Sequence, residues 1–100
     1  MKTCVLAVTA GCLVGCVPVY ERIPLADEAM AASSGVAMAE LGKGRALYLA
    51  QCGRCHEPIP PSEVKIADWH LVLPGMCWNA SISKEDEKSV TQYVLAAAKK

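Results

Sequence analysis

Read for period, the chain separates into helical stretches and breaks. The clearest stretch lies toward the C-terminal end. Val90, Tyr93, Val94 and Ala97 recur at i, i+3, i+4 and i+7, which sets one apolar stripe on a helix. Ser83 precedes the run as an N-cap, and Asp86 three residues on makes a capping-box variant. Glu85, Asp86 and Glu87 fall in the first turn and Lys99 and Lys100 at the end, each sign where the helix dipole favours it. A second stretch, 39–51, carries Leu41, Leu47, Tyr48 and Ala50 as apolar surface, with Lys43 and Arg45 outward. Gly42 and Gly44 lower its helix propensity, and a glycine there permits close approach by another helix. A third segment begins at Ser62 or just after it and runs to Leu73. Its inward positions are Val64, Ala67, Leu71 and Val72, and Pro74-Gly75 stops it. Pro58, Pro60 and Pro61 force the loop before it. No stretch alternates like a strand for long, so the expected fold class is all-α, with about three to four helices.

Ahead of these helices the pattern changes. From Val17 to Met38, Pro18 and Pro24 break any early helix and "SSG" at 33–35 marks a joint, leaving a short helix over 26–32. As a flexible tether, these 22 residues would reach roughly 25 Å. Before them, Met1-Lys2-Thr3 gives a positive start, and the eleven residues from Cys4 to Val14 carry no charge. Such a run is too short to span a bilayer and suits the apolar region of a signal peptide. It ends in "LVGC", Leu13 to Cys16, which resembles a bacterial lipobox. The resemblance implies cleavage before Cys16, a diacylglycerol on its thiol, and a place in the periplasm anchored to a membrane. The expected organisation is a lipoprotein signal peptide over 1–15, a lipidated Cys16 and tether over 16–38, and one domain over 39–100.

Composition narrows the picture further. Ten basic and ten acidic side chains balance, with no basic stripe to attract nucleic acid. The chain has no Phe, so a core of Ala, Val and Leu in so few residues is small and calls for a disulfide, metal or cofactor as a staple. Export places the cysteines where they can pair. Cys4 and Cys12 leave with the signal and Cys16 is acylated. Cys52 and Cys55 stand together, and Cys77 is left without a partner.

The central stretch "QCGRCHEP", Gln51 to Pro58, holds Cys52, Cys55 and His56 as C-x-x-C-H, the attachment signature of c-type haem. Two thiols three residues apart can each add to one vinyl group, and the histidine that follows can place its ring under the iron. Other chemistries fit less well. A zinc ribbon needs a second cysteine pair, a thioredoxin-like redox pair needs a βαβ setting, and a disulfide between cysteines three apart is strained.

With these residues the chain resembles the small monohaem c-type cytochromes over roughly Leu41 to Ala97. "GRALYLAQCGRCH" is similar to that family's first helix, and "QYVLAA" supplies Tyr93 to face Gly44 where the C-terminal helix crosses it. Pro61, Trp69 and Met76 follow His56 by five, thirteen and twenty residues, as in one branch of the family. The resemblance implies one haem c held covalently through Cys52 and Cys55, with His56 and Met76 as axial ligands. Thioether ligation raises the potential. His70 is the rival ligand, and Cys77 is a half-buried bystander, able to ligate as thiolate or to cross-link two molecules. Trp69 packs at the haem edge and donates to a propionate, and Pro61 or Pro58 offers a carbonyl to the His56 ring. The implied function is electron transfer, not enzymic turnover, between redox partners in the periplasm or membrane, alone or as a cytochrome subunit. The alternative is a gas-sensing or peroxide-reducing haem protein with an open or labile distal position. A third reading, a structural lipoprotein with a Cys52–Cys55 disulfide, predicts a colourless protein.

Overall fold

The computed structural model describes residues 22–98. Four α-helices form the body: α1 (Glu28–Ser34), α2 (Met38–Gln51), α3 (Ile66–Asn79) and α4 (Lys84–Ala97). Short 3-10 turns, Cys52–Arg54 and Pro61–Glu63, extend α2 and precede α3. There is no strand among the described residues. The signal run, the lipobox, Cys16 and Lys99–Lys100 lie outside them. No helix among the described residues is long and apolar enough to cross a membrane.

Helix α4 begins as its residues dictate: the Ser83 hydroxyl accepts from the Asp86 N–H at 3.1 Å, and three acidic residues occupy the first turn. Its stripe of Val90, Tyr93 and Val94 is fully buried. It crosses α2 at Gly44, where a Cβ would lie 2.1 Å from the Ser89 carbonyl oxygen and 2.7 Å from Tyr93 Cβ. Only a residue without a side chain permits backbones this close, so the expected Gly44–Tyr93 crossing is present. Beneath it, Tyr48 joins the two other core aromatics. Its ring lies 6.4 Å edge-on from Trp69 and 6.3 Å from Tyr93.

Two expectations differ from the structure. Pro74-Gly75 does not stop α3, which continues to Asn79. The hydrogen bond that Pro74 cannot make would go to the carbonyl of His70, an exposed residue whose carbonyl water can serve. The helix ends five residues later. Ser81 adopts a left-handed φ of 58°, its N–H donates to Trp78 O at 3.1 Å, and Ile82 N–H donates to Cys77 O at 3.1 Å. That pair of bonds is a Schellman cap. The inward face of α3 also differs: Trp69, Leu73 and Cys77 are buried, whereas Ala67, Leu71 and Val72 are exposed.

The segment expected as tether is docked from Ile23 onward. Ile23 is buried in the core, and its carbonyl accepts from the Arg45 guanidinium at 2.9 and 3.1 Å. The Tyr93 hydroxyl donates to Pro24 O at 2.6 Å. Helix α1, capped by Asp27 and closed by Gly35 at φ 73°, packs on α2 and α4. Backbone carbonyls make these contacts, and a side-chain pattern does not reveal them.

Candidate functional site

The end of α2, the 3-10 turn after it and the last turns of α3 surround one recess. Cys52, Cys55, His56, Met76, Asn79 and Ala80 line it, around a volume of about 130 Å³. The motif residues come from one side and Met76 from the other, twenty residues along the chain. The run of α3 past Pro74 is what carries Met76 there: the thioether comes from the body of a helix rather than from a turn.

The ring of His56 is exposed, with Nδ1 2.9 Å from the carbonyl oxygen of Glu57. With its proton on Nδ1 the ring donates to that carbonyl and leaves Nε2 free to ligate. Burial, then the neighbouring Cys55, pushes the Cys52 thiol up from its ordinary value. Both cysteines of the motif, and Cys77, are free thiols. Arg54, between the two cysteines, reaches across and donates to Ala80 O at 2.6 Å. This clasp ties the motif loop to the end of α3.

Other expected site residues are placed elsewhere. Trp69 is buried, and its indole donates to Pro61 O at 2.9 Å, so these two landmarks satisfy each other. The Pro61 carbonyl therefore serves Trp69, and Glu57 takes the place expected for Pro61 or Pro58 beside His56. His70 is exposed on α3 and does not line the recess. Cys77 is fully buried, not half-buried, so it is closed to cross-linking in the folded chain. Burial, with Cys52 and Glu87 adding, pushes its thiol up to about 11. Met38 is exposed and Met30 packs against the core, both away from the recess. Among the described residues, no group of three or more His, Cys, Asp or Glu could hold a metal ion.

The recess thus offers two thiols, an imidazole and a thioether, a donor set that fits a c-type haem. Its volume is too small to enclose a porphyrin, so covalent attachment rather than burial would have to hold one. Sequence reasoning missed the Arg54 clasp, for which only the charge of the x residue in C-x-x-C-H gave any sign. No protein-family model, curated protein or solved structure matches this chain.

Proposed function

We propose that this chain is an electron-transfer protein carrying one c-type haem, a small cytochrome anchored to the periplasmic side of a membrane through lipid on Cys16. The observation that carries the reading is the convergence of Met76 with Cys52, Cys55 and His56 on one recess. Cys52 and Cys55 would hold the group as thioethers, and His56 and Met76 would ligate its iron. When bound, the haem supplies a one-electron couple between ferric and ferrous iron. The protein's own residues set the conditions for it. The Glu57 carbonyl orients the imidazole and raises its basicity. The soft thioether of Met76 would favour the ferrous state of an iron it ligated. Arg54 keeps the two walls together. With His56 and Met76 both given to the iron, it would have no open position for a substrate, which would suit a carrier moving electrons between redox partners.

The test is the visible spectrum of the mature chain, made where c-type haem is installed, in both oxidation states and with carbon monoxide. A low-spin spectrum with the weak deep-red band of methionine–ferric ligation, unmoved by carbon monoxide, is expected. The Met76→Ala chain should keep its haem, lose that band, fall in potential and bind carbon monoxide. A high-spin native spectrum that shifts with carbon monoxide would replace the carrier by the sensing or peroxide-reducing alternative. A colourless protein would remove haem altogether.

A further inference from the structure

Helix α3 is apolar on the side that faces water as well as on the side that faces the core. At about 100° per residue, Ala67, Leu71, Pro74 and Trp78 fall within an arc of about 60°. That arc lies opposite Trp69, Leu73 and Ala80, which are buried. Leu71 is 79 % exposed and Trp78 is 80 % exposed. No charged residue interrupts the ridge; His70 and Asp68 border it. A contiguous apolar strip with a polar rim marks a docking surface, where scattered exposed side chains would not.

We propose that this ridge of α3 seats on the bilayer to which Cys16 is anchored. The inference rests on the lipid-anchor part of the proposed function and deepens it. The length of chain between the anchor and the globule argues for the bilayer over a second copy. Because Ile23 is buried in the core, only residues 17–22 separate it from Cys16. Seven Cα steps span at most about 25 Å when fully extended. Helix α3 is itself about 21 Å long. The globule is therefore held within roughly its own dimensions of the lipid surface, and that surface meets it at an effective concentration that a free copy does not match. The chemistry of the ridge suits such seating, since an indole favours the membrane–water boundary, leucine lies beside it, and no charge has to be desolvated. Met76 lies two residues from Trp78, on the other side of the helix. Seating the ridge on lipid thus leaves the recess open to partners rather than covered.

Carbene footprinting with a water-soluble diazirine tests this on native side chains. The acylated chain on phosphatidylcholine vesicles is compared with the unacylated Cys16→Ser chain in solution. Labelling of Leu71 and Trp78 should fall severalfold on the vesicles, while Lys43 and Lys88, exposed on α2 and α4, label equally in both. Equal labelling of Leu71 and Trp78 in the two states overturns the proposal. Protection in solution without vesicles that rises with protein concentration also overturns it, in favour of a second copy on the ridge. An unacylated Cys16, read from the mass of the N-terminal peptide, removes the anchor and this inference with it. That result is distinct from an acylated chain whose ridge stays wet.

Discussion

Gly44 and Cys52 lie eight residues apart, yet the regions around them are built on opposite terms. At Gly44 two helix backbones approach until there is no room for a Cβ, and Tyr48, Trp69 and Tyr93 fill the space beneath. Around Cys52 the walls stand apart. A thiol pair, an imidazole and a thioether face a recess, and one arginine-to-carbonyl bond crosses from wall to wall. The first region completes itself from its own side chains. The second has chemistry at its rim and a recess at its centre, lined by donors from two separate elements. In a chain without phenylalanine, the aromatics available for packing are concentrated on the crossing side.

The sharpest way to break the packed region is Gly44→Val. Its Cβ must displace the Ser89 backbone and Tyr93 Cβ, neither of them the free end of a flexible side chain. A loss of about 3 kcal/mol or more is expected by chemical denaturation. Gly42, two residues away on the same helix, has nothing within 4 Å of where a Cβ would lie. Gly42→Ala should therefore stabilise the chain, by up to about 1 kcal/mol from helix propensity alone. If both substitutions moved stability in the same direction, the crossing would not be where the chain is tightest.

That crossing is legible from sequence because steric need and residue type coincide there: a glycine in a helix opposite an aromatic in a patterned stripe. Helix α4 is legible for a similar reason, with its cap, dipole and period all agreeing. Helix α3 is not. With apolar residues on both faces, its period does not say which face is inside, and Leu71 and Val72 look as fit for the core as Trp69 and Leu73, which are the ones buried. Its end is hidden because the left-handed cap residue is Ser81 rather than glycine, while Pro74-Gly75 imitates a stop. The docking of Ile23 and Pro24 depends on their carbonyls, which look alike in every sequence. The recess is readable in its donors, since Cys52, Cys55, His56 and Met76 all line it. It is unreadable in its supports: Trp69 and Pro61 pair with each other, and Arg54 holds Ala80.

The packed region should also be the alkali-sensitive one. Burial pushes Cys77 up to about 11 and Tyr93 to about 12, and raises Tyr48 as well. Each folded-state value is raised, so the fold favours the protonated form. For Cys77 the stabilisation is complete below the ordinary thiol value of 9.0 and is lost as pH climbs through about 11. Roughly 2 to 3 kcal/mol should disappear over that window. Cys77→Ala should flatten this part of the profile at some cost in packing. A wild-type profile flat from about pH 9 to 11 would mean that the thiol is wetter than its complete burial implies.

The smallest expected loss of stability comes from the other region, through Arg54→Ala. Arg54 is an exposed residue, and its part-buried bond to Ala80 O crosses between the walls of the recess. A hydrogen bond from a charged donor can contribute more than a neutral one, but water competes here, so about 1 kcal/mol is expected. The larger consequence should be local. Without the clasp, the last turn of α3 keeps its backbone bonds but loses its tie to the motif loop, and Met76 and Asn79 lie within that turn. Hydrogen exchange should therefore quicken at residues 79–82 while α2 and α4 keep their protection at the Gly44 crossing. In haem-loaded protein the same variant should weaken methionine ligation, seen as a smaller deep-red band and partial binding of carbon monoxide. A uniform rise in exchange across all four helices would show that the recess and the crossing unfold as one unit, and the contrast between them would lose its energetic meaning.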